Sequence, residues 1–131
     1  MKTFEHKHLK GAPIEDRTYQ SNISEACLKQ STMVILPTGM GKTVIALRVI
    51  LERVHVGPIL LMAPTKPLAQ QHADFLDEHI NSQVTLFTGA IPPLQREPMW
   101  ESSGIIVSTP QVVLKDIENG RTSLESFSLL I

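Results

Sequence analysis

The sequence predicts an α/β domain in which helices cover both faces of a parallel β-sheet. Short runs such as "PILLMA" (58–63) and "IIVS" (105–108) are apolar at every or nearly every position, and stretches of helical period separate them. Strands buried on both faces and joined by helices call for right-handed crossovers, hence a parallel sheet. The chain has 131 residues, 42% of them hydrophobic, enough for one core.

Taken in order, "MVIL" (33–36) is the first expected strand, and "GKTVIALRVILERV" (41–54) follows as a helix buried on most sides. "PILLMA" is the second strand. A helix from Lys66 or Pro67 comes next, with Leu68, Ala69, Ala73, Phe75, Leu76 and Ile80 on one face; Pro67 suits a first turn. "VTLF" (84–87) and "IIVS" are the third and fourth strands, and one short helix is expected within 92–102. "PQVVLKDIENG" (110–120) reads as a helix closed by Asn119-Gly120. "FSLLI" (127–131) is a further apolar run.

Charge narrows the function classes. Twelve Lys and Arg against thirteen Asp and Glu give a formal net charge of −1, which does not suggest non-specific nucleic-acid binding. It leaves open a partner held by backbone amides and local groups. Cys27 is the single cysteine, so no intrachain disulfide forms, and packing is its simplest role. No apolar run reaches the ~20 residues that span a bilayer, and "MKTFEHKHLK" lacks the apolar segment of a secretory signal. His6 and His8 lie in that charged start, read as a mobile segment rather than a metal site. His55, His72 and His79 read as surface or core-edge positions.

Ligands of open parallel sheets bind beyond the carboxyl ends of the strands. The four tips are "LPTGMGKT" (36–43), "APTKP" (63–67), "FTGA" (87–90) and "STPQ" (108–111). Each carries a threonine (Thr38, Thr65, Thr88, Thr109) beside Pro or Gly. Hydroxyls and backbone N–H groups at helix starts favour phosphates, although the same residues are ordinary turn and N-cap formers. The first tip says more. It matches the phosphate-binding loop pattern except for Leu36 in place of the first glycine. Thr38, Gly39, Met40 and Gly41 would wrap the phosphates of a nucleotide, Lys42 would reach the β- and γ-phosphates, and the Thr43 hydroxyl would ligate Mg²⁺. Hydrolysis also needs a carboxylate at a strand tip, and none of the four tips has one. Asp74, Asp77, Glu78, Asp116 and Glu118 fall within or late in helices, where a solvated face is expected.

These motifs resemble those of the first motor domain of superfamily 2 helicases. Within them the sequence is most similar to the archaeal Hef and Fanconi anaemia group M translocases, which are related to the RIG-I-like and Dicer helicases. The resemblance runs from Ile14 to Ile131, leaving 1–13 as a lead-in. It implies a RecA-like P-loop NTPase fold, a three-layer sandwich truncated at its C-terminal side. It also implies ATP and Mg²⁺ as cofactors, with Lys42 and Thr43 catalytic. "RTYQ" (17–20) resembles the adenine-recognition motif, in which Gln20 would read the adenine edge with Arg17 in support. "APTKPLAQQH" (63–72), "TG" (88–89) and "TPQVV" (109–113) resemble the motifs that grip one strand's sugar-phosphate backbone. By that resemblance Thr65, Lys66, Thr88, Gly89, Thr109 and Gln111 would touch nucleic acid, while Pro64 and Pro110 shape two of the turns.

The resemblance further implies that "FSLLI" is the strand before an Asp-Glu motif. Those acids would follow Ile131, and a second RecA-like domain would complete the ATP site. The expected function is the ATP-binding portion of a DNA helicase or translocase acting on branched or forked DNA. By itself the chain is expected to be hydrolytically inactive. DNA is favoured over RNA as partner, no membrane is implied, and the expected location is the prokaryotic cytoplasm with the nucleoid. The rivals are an RNA-directed motor of the same superfamily, a small P-loop kinase or regulatory module, and an interaction domain with a vestigial loop.

Overall fold

A computed structural model describes residues 2–36, 41–102 and 104–131. Its elements run β1 (Thr3–Phe4), β2 (Ile14–Glu15), α1 (Thr18–Lys29), α2 (Lys42–Arg53), β3 (Ile59–Met62) and α3 (Lys66–His79), then β4 (Val84–Phe87), α4 (Pro93–Ser102), β5 (Ile105–Ser108), α5 (Pro110–Glu118) and β6 (Leu129–Leu130). The main sheet is parallel with order β4-β5-β3-β6.

That order fixes the layers. The chain moves one way across the sheet from β3 to β4, then back through β5 to β6. Right-handed crossovers therefore put α3 on one face and α4 and α5 on the other. The packing agrees. Leu47, Ile50 and Leu51 of α2 and Ala69, Ala73 and Leu76 of α3 cluster with Ile59, Leu61, Ile105 and Val107. Trp100 of α4 and Val112 and Val113 of α5 cluster with Leu60, Phe87 and Ile106. Alternate residues of β3 and β5 thus feed opposite cores, the two-residue period of a strand buried on both sides.

Four expectations need correction. Residues 33–36 are not a strand: Met33 and Ile35 are 85% and 82% exposed. Strand-forming side chains need a hydrogen-bonded neighbour, and the sheet built by the described residues ends at β6. Leu68 lies off the apolar face of α3, whose buried residues are Ala69, Ala73, Leu76 and His79. Asp116 is fully buried instead of solvated. The charged start is held in place, because its apolar side chains have a core to join. Phe4 and Leu9 pack against the first cluster, β1 pairs antiparallel with β2, and Lys10 and Asn81 exchange backbone bonds with His79 and His8. His6 Nε2 lies 3.0 Å from Glu52, and the His8 ring stacks with His55.

Candidate nucleotide and strand-binding sites

Helix α2 opens the way a phosphate-binding helix must. Its N-cap, Gly41, has φ 75°, a left-handed conformation that favours glycine, and as a glycine it has no side chain with which to cap the helix. A Cβ on Gly41 would meet the end of the Gln20 side chain, which would have to move from its place against the Gly41 carbonyl. Lys42 is exposed and Thr43 half-buried at that open end. A helix start with a lysine and a hydroxyl, and no cap from its own N-cap residue, fits a nucleotide phosphate with its Mg²⁺. Thr38, Gly39 and Met40 lie outside the described residues.

Gln20 is 2% exposed on α1, and its Nε2 donates to the Gly41 carbonyl at 3.3 Å. The sequence motif upstream of the loop is therefore in direct contact with the loop's last glycine. Helix α1 is tied to α2 again at its far end, where Arg53 Nη2 donates to the Leu28 carbonyl at 2.6 Å. Arg17 instead faces solvent, with Nε donating to Glu15 at 3.0 Å and Nη1 to the Tyr19 hydroxyl at 3.2 Å. Those two bonds, Tyr19 first, raise its pKa further. Lys42 also lines a cavity of about 760 Å³ between the end of α1, α2 and β6.

The other three tips meet at a second place. Met62 pairs with Ser108 and Phe87 pairs with Ser108, so β3, β4 and β5 end level. Their loops consequently share one edge of the sheet. Pro64, Thr65, Lys66, Gly89, Thr109 and Gln111 line a common cleft of about 820 Å³ with residues of α4 and α5. Thr88 and Pro110 are not among its lining residues. Thr88 accepts from Ala90 N–H at 3.2 Å, and Pro110 opens α5.

The threonines divide by role. Thr65 caps α3, accepting from Leu68 N–H at 3.4 Å, so the ordinary N-cap reading holds there. Thr109 is the N-cap of α5, yet its side chain makes no cap bond. Gly89 has φ outside the left-handed region, and a Cβ there would meet nothing. The fold does not demand glycine at 89, and the open space faces the cleft.

A buried ionic cluster, missed by sequence reasoning, supports this cleft. Asp116 accepts from Arg96 Nε at 2.9 Å and Nη2 at 2.7 Å, from Trp100 Nε1 at 2.8 Å and from Arg121 Nη1 at 3.0 Å. Arg96 Nη1 also donates to the Ile91 carbonyl at 2.6 Å, joining the loop after β4 to α5. The available signal was weak: an Arg, a Trp and an Asp at helical positions on two neighbouring helices, which sequence spacing alone does not pair.

Comparison with known proteins adds the following. A family model described as DEAD/DEAH box helicase matches residues 17–131. The chain is 37% identical, over 97% of its length, to a Methanocaldococcus jannaschii protein named as an ATP-dependent RNA helicase, of which it spans 17%. It is 39% identical over 88% of its length to the ATP-dependent DNA helicase MPH1 of Coccidioides immitis, of which it spans 11%. The Hef helicase domain of Pyrococcus furiosus superposes with a TM-score of 0.83 at 38% identity, covering 88% of this chain and 25% of that one.

Proposed function

The chain belongs to the DEAD/DEAH box helicase family, and from that premise we propose that it is the ATP-binding, strand-gripping part of a motor that moves on branched or forked DNA. Residues 14–131 form the N-terminal part of its first RecA-like domain. One observation carries the reading: three strand tips end level and place Thr65, Lys66, Gly89, Thr109 and Gln111 around one cleft. Such contacts hold a sugar-phosphate backbone without reading its bases. The name of the Coccidioides relative, a DNA helicase, favours DNA as the track. An RNA track is the second reading, favoured by the name of the Methanocaldococcus relative.

At the other site, Lys42 neutralises the terminal phosphates and Thr43 offers a hydroxyl to Mg²⁺. Gln20 couples the adenine side of the pocket to the loop through Gly41. Bound ATP with its metal supplies the phosphoryl group whose loss resets the grip on the strand. A motor working on genomic DNA acts where that DNA is, in the prokaryotic cytoplasm with the nucleoid.

Fluorescence anisotropy of a labelled forked DNA, with and without ATP and Mg²⁺, tests the proposal. Lys66→Ala is expected to weaken DNA binding, and Lys42→Ala to abolish nucleotide binding while leaving the nucleotide-free DNA affinity alone. Because the ends of β3, β4 and β5 carry no carboxylate, the 131-residue chain is expected to bind nucleotide without steady hydrolysis. Turnover by this chain that disappears in Lys42→Ala would refute that last point.

A further inference from the structure

Two guanidinium groups share one buried carboxylate at the wall of the cleft. Arg96 and Arg121 both bond Asp116, so the trio retains one unit of positive charge. Arg96 cannot offer that charge to a ligand. It is 3% exposed, and all three of its guanidinium nitrogens donate within the protein, two to Asp116 and one to the Ile91 carbonyl. Arg121 is placed differently. Its Nη1 bonds Asp116, its side chain is 20% exposed, and it lines the cleft together with Lys66, Thr109 and Lys115. A guanidinium has donors on more than one edge, so a single bond to Asp116 leaves others for a second acceptor.

We infer that Arg121, steadied by Asp116 and accompanied by Lys115, grips a backbone phosphate in the cleft, an assignment that rests on the strand-binding reading above. Nothing in the helicase-like motifs assigns either residue. Asp116 does not need Arg121 for satisfaction, since Arg96 and Trp100 already donate to both of its oxygens. What the Asp116 bond does is hold a long side chain in one orientation, which lowers the entropy lost when a phosphate is gripped. The backbone assists, with Arg121 N–H donating to the Asp116 carbonyl at 2.8 Å just after the helix ends. Glu118 also lines the cleft and opposes an anion, so retention of a phosphate there depends on the cations facing it.

The test is salt-dependent binding of a fluorescein-labelled single-stranded oligodeoxynucleotide of about 12 nucleotides to the full chain and its variants. Arg121→Ala is expected to weaken binding roughly five- to tenfold and to flatten the slope of log affinity against log salt by about 0.7. Arg121→Gln keeps an amide donor for Asp116 without the charge. It should melt close to the parent chain yet lose the same affinity and slope. Arg121→Lys, which keeps the charge, should restore part of both. Wild-type affinity and slope in Arg121→Gln would overturn the inference, and a weakened Lys66→Ala beside it would leave the cleft reading intact. No binding by the parent chain would remove both.

Discussion

At Asp116, burial pushes the carboxyl pKa upward. The bonds from Arg96, Trp100 and Arg121, with the Arg96 charge, outweigh that and bring it to about 2 from 3.8. A depressed carboxyl pKa stabilises the fold above its unfolded value and ceases to do so as pH falls through the folded one. An acid titration followed by the fluorescence of Trp100, the single tryptophan, should show stability falling between about pH 4 and pH 2. The loss attributable to this group is about 2 kcal/mol. Asp116→Asn leaves two guanidinium groups facing a neutral amide. It should cost about 3 kcal/mol in urea unfolding at neutral pH; a cost below 1 kcal/mol would contradict the cluster's role. Gly41→Ala works at the same scale by geometry. The left-handed backbone and the Gln20 side chain both oppose a methyl group, so nucleotide affinity should fall at least as far as in Lys42→Ala.

Among the elements, α3 begins as its sequence suggests. Thr65 caps it, Pro67 sits in the first turn and Ile80 closes it. Thr65→Ala should destabilise by about 1 kcal/mol through loss of the cap, and should also weaken DNA binding, because Thr65 lines the cleft. Gly89→Val separates the two effects. With open space at its Cβ, it should leave the melting temperature unchanged while reducing DNA affinity. Helix α4 carries Pro98 in its interior, where proline removes a backbone donor, yet Arg96 and Trp100 anchor that helix to α5. Sequence pattern was a good guide to α2, α3, α5, β3, β4 and β5, whose apolar period matches their burial. It misplaced Leu68 because one position on a helix shifts a side chain by 100°, moving a residue beside Ala69 off the buried face.

Across the whole molecule, one sheet separates two cores, with α2 and α3 on one side and α4 and α5 on the other. Leu47→Ala probes the first core and Val113→Ala the second. Each should lower the midpoint of a single shared urea transition, the former through a loss of about 3 kcal/mol of stability. Two resolved transitions would show that the layers unfold separately. What the sequence determined by itself was the alternation of helices and strands from α2 to α5 and the residue types that stand at the ends of β3, β4 and β5. Those signals are local: apolar period, turn residues and motif spacing act within a few residues of one another. Tertiary structure decided that three tips end level on one cleft, that Gln20 meets Gly41, that 33–36 has no strand partner among the described residues, and that Asp116 binds two arginines. Each of these depends on which distant segments become neighbours, and strand order and helix packing set that.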